Sequence, residues 1–152
     1  MWILVWAGLL LSLACSGKKS AVGENSSLGA YDVEQDWNDP QHIILLNYQQ
    51  AQGKRVFYNT CVWCHADVTP AGPSNRSNVT PLPPLINDGG AMNALSEDFL
   101  RNIISFGGSA MGKSTMMPPW GRTLMSGDIQ AVIAFIRAVS QPPYQTRVRP
   151  SS

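Results

Sequence analysis

Charge, cysteine and histidine are all scarce in this 152-residue chain, and each scarcity excludes something. Only 14% of residues are Asp, Glu, Lys or Arg, eleven basic against ten acidic, and residues 41 to 141 hold seven basic and five acidic groups. No basic patch suggests nucleic acid, and no lysine cluster suggests steering toward an acidic partner. No apolar run reaches the roughly 20 residues that a bilayer-spanning helix needs. There is no internal repeat and no good strand pattern. Two histidines and three cysteines leave little for a multi-ligand zinc site or a disulfide framework.

The apolar run that is present lies at the start: Ile3, Leu4, Val5, Trp6, Leu9, Leu10, Leu11 and Leu13. Its length suits the apolar region of a secretory signal over residues 1–14, although no Lys or Arg precedes it. Leu11-Ser12-Leu13-Ala14-Cys15 resembles a bacterial lipobox, whose cysteine is lipidated and becomes the new N-terminus. Ser12 and Ala14 also fit an ordinary cleavage site. A lone cysteine at the end of the signal favours lipidation at Cys15, and hence export to the periplasm or the outer face of a membrane. Residues 15–39, rich in Ser, Gly, Asn and acidic groups, read as a flexible tether.

Cys61-Val62-Trp63-Cys64-His65 carries the most chemistry. On one helical turn the two sulfurs and the imidazole share a face. That arrangement suits a c-type haem, with two thiols for the porphyrin vinyl groups and an adjacent proximal imidazole. A thioredoxin-like dithiol would want alternating strands and helices around the motif, which are missing. A zinc site would want four ligands, and only Cys15 and His42 remain elsewhere, badly placed. With Cys15 lipidated and Cys61 and Cys64 on haem, no thiol is left over.

Asp39-Pro40 reads as a helix start, with Ile43, Ile44, Leu45, Leu46 and Tyr48 following and a break expected near Gly53. Residues 66 to 95, with Pro70, Pro73, Pro81, Pro83 and Pro84, lack apolar periodicity. A loop that long needs a core from elsewhere, and a porphyrin provides one. Ser96 caps the next helix, whose apolar face is Phe99, Leu100, Ile103 and Ile104 and whose stop is Gly107-Gly108. Ser126 opens the clearest helix, with Ile129, Val132, Ile133, Ile136 and Val139 at helical spacing and Pro142-Pro143 beyond it. The expected domain spans 40–141, with a flexible tail over 142–152.

The sixth position of a histidine-ligated iron separates electron transfer from substrate chemistry. Candidates are the methionines, His42, water or nothing. In Met116-Met117-Pro118-Pro119-Trp120-Gly121 the prolines hold the thioethers on a stiff, extended piece where neighbouring side chains point to opposite sides. Only one of the pair should therefore face a metal. His42, on the expected leading helix, reads as a surface residue.

The order of these motifs, C-x-x-C-H, then Pro84-Leu85, then Met-Pro-x-Trp-Gly, then a terminal amphipathic helix with an aromatic, resembles a class I bacterial cytochrome c over residues 46 to 141. The resemblance implies an all-α fold of three to five helices wrapped around one haem c, bonded through Cys61 and Cys64 and ligated by His65 and Met117, with Met111 as the next choice. It implies that the Pro84 carbonyl accepts the His65 Nδ1 hydrogen bond, that Leu85 packs on the haem and that Trp120 lies near the propionates. Gly53 and Phe57 resemble the residues where the first helix crosses the last, and Phe135 their aromatic partner. The implied function is single-electron transfer between redox partner proteins rather than catalysis. The alternatives are a subunit of a larger respiratory or dehydrogenase complex, or a haem peroxidase or gas sensor with a labile sixth ligand. The sequence does not specify an oligomeric state.

Overall fold

The computed structural model describes residues 30–143, so the expected signal, Cys15 and nearly all of the C-terminal tail lie outside the described residues. Five helices and two small antiparallel ribbons follow in order. The first ribbon pairs β1 (Asp32–Gln35) with β2 (Ile43–Leu46), Val33 standing opposite Leu45. It corrects two expectations. The helix does not start at Asp39-Pro40: Asp39 instead accepts from the Gln41 amide in the turn between the strands. His42 therefore precedes a strand, and its Nδ1 lies 2.9 Å from Asp36 Oδ2. The segment expected to be tether up to residue 39 is also folded from β1 onward. The reason is nonlocal: Ile43, Ile44 and their neighbours are consistent with either period until a partner strand satisfies their backbone.

α1 (Tyr48–Thr60) starts at Asn47, whose side chain accepts from the Gln50 amide while Gln50 reaches back to the Asn47 amide, a reciprocal cap. It runs unbroken through Gly53, where the sequence suggested an end. Glycine is there for a close crossing with α5 (Ser126–Val139): a Cβ at Gly53 would lie 1.9 Å from the Ala131 carbonyl oxygen. Phe57 and Phe135, both fully buried, pack beside it with ring centroids 5.5 Å apart. This crossing is the mechanical centre of the fold, and it matches the expected Gly53, Phe57 and Phe135 contact.

α2 (Val62–His65) follows at once, then a ribbon of β3 (Val68–Thr69) and β4 (Gly72–Pro73), a 3-10 turn (Arg76–Asn78) and α3 (Gly89–Met92). α4 (Glu97–Ala110) is capped by Ser96 Oγ accepting from the Phe99 amide, as expected. α5 begins one residue earlier than expected: Met125, not Ser126, holds the N-cap position, and the Asp128 carboxylate accepts from its amide. Arg137, buried on α5, donates to the Met92 and Leu95 carbonyls at 2.6 Å each and ties the α3–α4 connection to the last helix. The fold is helix-rich, and its strands are confined to the two short ribbons.

Candidate functional site

A cavity of about 1060 Å³ lies between α2, the proline-rich loop, α3, α4 and the Met-Pro segment. That is at the upper end of the roughly 300–1,000 Å³ typical of small-molecule sites. Cys61, Cys64 and His65 stand on its wall, as do Pro84, Met117 and Trp120. The loop that lacked a core in sequence lines it with Val79, Leu82 and Ile86, and α4 contributes Phe99, Leu100 and Ile104. The apolar groups of these segments, which pair with nothing in the local sequence, converge on one space.

His65 is oriented by its neighbours. Its Nδ1 lies 2.9 Å from the Pro84 carbonyl oxygen. A carbonyl only accepts, so this bond requires the Nδ1–H tautomer and leaves the lone pair on Nε2. Burial lowers the imidazole pKa, as does the charge of Arg76, against a smaller opposing effect of the Pro84 bond, so the ring is held neutral in the form that ligates metals. Arg76 in turn donates from Nε to the Pro83 carbonyl at 2.7 Å and pairs with Asp67 at 2.9 Å, which fixes the peptide before Pro84. No local pattern in the sequence marks Arg76 for that duty.

The cysteines are suited to covalent attachment rather than to dithiol exchange. Burial pushes the Cys61 thiol up, the Thr60 hydroxyl only partly offsets this and Cys64 adds to it, whereas exchange and zinc binding favour a lowered thiol. Among the described residues no group of three or more His, Cys, Asp or Glu side chains is placed to hold a metal ion.

Another part of the cavity wall is built around a break in α4. Gly107 has φ 79° and ψ 169°, a conformation open in practice to glycine alone. The break leaves the carbonyls of Ile104 and Ser105 free, and they accept from the Trp120 and Gly121 amides at 2.9 and 3.0 Å. The Gly108 amide donates to the Met117 carbonyl at 3.0 Å. Gly107 is therefore not the stop read from sequence: helical backbone resumes after it, and the interruption is the dock for the Met-Pro segment. Met117 is partly buried against the core, whereas Met116 is 59% exposed, although both reach the cavity. Met111 and His42 do not line it. Leu85 also does not: it lines a smaller, separate cavity, and the buried Ile86 takes the inward position one residue later.

Residues 49–136, more than half of the chain, match the family described as cytochrome c oxidase, cbb3-type, subunit III. The chain belongs to that family. No curated protein and no solved structure matches it. The protein is thus a c-type cytochrome, whose family binds haem covalently and carries electrons to redox partners, and Cys61 and Cys64 have the spacing of the family's attachment motif. For this cytochrome the fit to haem rests on its own geometry: a large apolar cavity lined by two sulfurs, a neutral imidazole and a thioether. No helix among the described residues is long and apolar enough to cross a membrane.

Proposed function

We propose that this cytochrome transfers single electrons through one haem c, bonded to Cys61 and Cys64 and ligated by His65 and Met117, at the outer face of a bacterial membrane to which a lipid on Cys15 tethers it. The observation that carries the reading is the convergence of the Cys61–His65 turn and the docked Met117 segment on one apolar cavity. When bound, haem supplies an iron centre that gains or loses one electron. The Pro84 carbonyl fixes the His65 ring and raises its basicity as a ligand. The backbone bonds to Ile104, Ser105 and Gly108 fasten the segment that carries the thioether to α4. Leu100, Ile104 and Val132 exclude water from the interior, which together with a Met/His pair favours a raised potential. With His65 and Met117 both holding the iron, no position would be left for a substrate. A peroxidase would need a distal acid-base group, and His42 lies off the cavity.

The family's description favours a second reading of the same site, as the haem subunit of a larger respiratory complex. Co-purification of partner subunits after mild detergent extraction would select that reading over a free carrier. Haem site and ligands are tested by optical spectra and redox titration of wild type and Met117→Ala. The expected result is a low-spin wild type in both redox states, and loss of the Met–iron charge-transfer band with a lowered potential in the variant. An unchanged variant, or carbon monoxide binding to the reduced wild type without denaturant, would remove Met117 from the site.

A further inference from the structure

The β1–β2 ribbon turns an uncharged, apolar face to the outside. Its strands alternate as a half-buried ribbon should, with Glu34 and Leu46 buried and Val33, Ile43 and Leu45 exposed, Leu45 at 68%. Val33 stands directly opposite Leu45, and the row is extended by the exposed Tyr31 and Tyr48, whose rings meet edge to face at 4.8 Å. Exposed ribbons are ordinarily protected by outward charges, and here every outward position from Tyr31 to Gln35 and from Ile43 to Leu45 is uncharged. Tyrosine beside aliphatic side chains is the composition found where protein meets the headgroup layer of a bilayer.

We propose that this ribbon face seats the domain on the lipid surface; the inference rests on the reading of Cys15 as a lipid anchor. Fifteen residues lie between Cys15 and Tyr31, so even fully extended the ribbon stays within about 55 Å of the anchor. The described residues begin at Ala30, at the edge of this face, so the face lies where the tether joins the domain. Docking this way leaves the haem mouth clear. Tyr48 starts α1 and Cys61 follows its end, so the 13-residue helix separates the two by about 20 Å, and none of the five ribbon residues lines the large cavity.

The test uses the mature haem-loaded chain with Cys15→Ser, exported behind a conventional cleavable signal, and sedimentation with phosphatidylethanolamine–phosphatidylglycerol vesicles. The parent should bind, the variant Val33→Thr/Leu45→Gln should partition at least tenfold less, and Val68→Thr, an exposed apolar position on the other ribbon, should match the parent. Unchanged haem spectra in all three keep the result separate from the electron-transfer reading, and mass spectrometry of the wild-type N-terminus tests the anchor on its own. No binding by the parent, or equal binding by parent and ribbon variant, overturns the proposal. So does binding restricted to native membranes and abolished when their proteins are digested, which would assign the face to a protein.

Discussion

Replacing Gly107 by alanine tests how the Met-Pro segment is held. The glycine occupies φ 79°, ψ 169°, and a Cβ there would lie 2.9 Å from the Met117 carbonyl oxygen and the Pro119 nitrogen. The conformation alone costs a non-glycine residue about 1–3 kcal/mol. Relieving the contact means withdrawing the segment from α4 and weakening the bonds from Gly108 to Met117, Trp120 to Ile104 and Gly121 to Ser105, at about 1 kcal/mol each. The sum is about 4–6 kcal/mol. The helix is packed and the segment is exposed at Pro118 and Pro119, so the segment should yield first. If about 3 kcal/mol falls on the Met-ligated state, its ratio to the unligated state drops roughly a hundredfold. The expected readout for Gly107→Ala is a weakened Met–iron band, a lower potential and binding of added imidazole or carbon monoxide, with far-UV circular dichroism retained. Gly112→Ala is the matched control: its φ of 65° also disfavours alanine, but nothing lies within 4 Å of the added Cβ. A Gly107→Ala protein that keeps the wild-type band, potential and exclusion of added ligands would refute the docking argument.

Two further outcomes concern the ribbon's buried polar groups. Glu34 Oε1 accepts from Tyr58 Oη at 2.7 Å and Trp37 Nε1 at 3.0 Å, and Oε2 lies 3.2 Å from Lys54 Nζ, so Glu34→Ala strips Tyr58 and Trp37 of their acceptor, leaves Lys54 only Asp32 and the Val33 carbonyl, and should cost on the order of 3 kcal/mol in denaturant unfolding of the holoprotein. Burial drives the Asp36 carboxyl pKa up, but the bond from His42 and those from the Asn38 and Asp39 amides prevail and hold it below its ordinary value. A group with a lowered native pKa stabilises the fold fully above its unfolded value, about 4, and loses that contribution as pH falls through the native one. Thermal melts between pH 7 and 2 should therefore show wild type converging on Asp36→Asn as acid is added, and a difference that is constant with pH would contradict the assignment.

The parts of the site set by local chemistry were legible in the sequence, and those set by distant backbone were not. The Cys61–His65 turn, the Ser96 cap, the α5 periodicity and the Gly53, Phe57 and Phe135 crossing are carried by residue type and spacing within a few turns. The Pro84 carbonyl followed from a family resemblance and stands where that resemblance put it. The ribbon was missed because its first strand, Asp-Val-Glu-Gln, looks polar until its partner is known, although Asn47 and Gln50 offered a helix-start signal later than Asp39. Leu85 and Ile86 differ by one position in an irregular loop, where no period says which faces inward. Arg76 and Arg137 act on carbonyls 7 to 45 residues away, and an arginine in sequence does not announce which carbonyls it will reach.

The cavity itself bears on how the chain reaches this arrangement. Left empty, a void of about 1060 Å³ would cost about 25 kcal/mol at roughly 24 cal/mol per Å³, more than the about 5–15 kcal/mol that a domain has in total. Water entering through the mouth relieves part of that cost but solvates an apolar wall poorly. The proline-rich loop and the Met-Pro segment carry little regular structure of their own, whereas the α1–α5 crossing has its own core in Phe57, Val132 and Phe135. Without haem the two halves should therefore separate in order: α1 and α5 persist as helices, while the proline-rich loop and the Met-Pro segment lose fixed packing. A Cys61→Ala/Cys64→Ala chain produced without haem is expected to keep much of its far-UV dichroism, lose its near-UV signal, and show hydrogen-exchange protection confined to α1 and α5. Native-like protection of residues 79–95 and 112–121 in that chain would mean that the protein, not the cofactor, holds the cavity open.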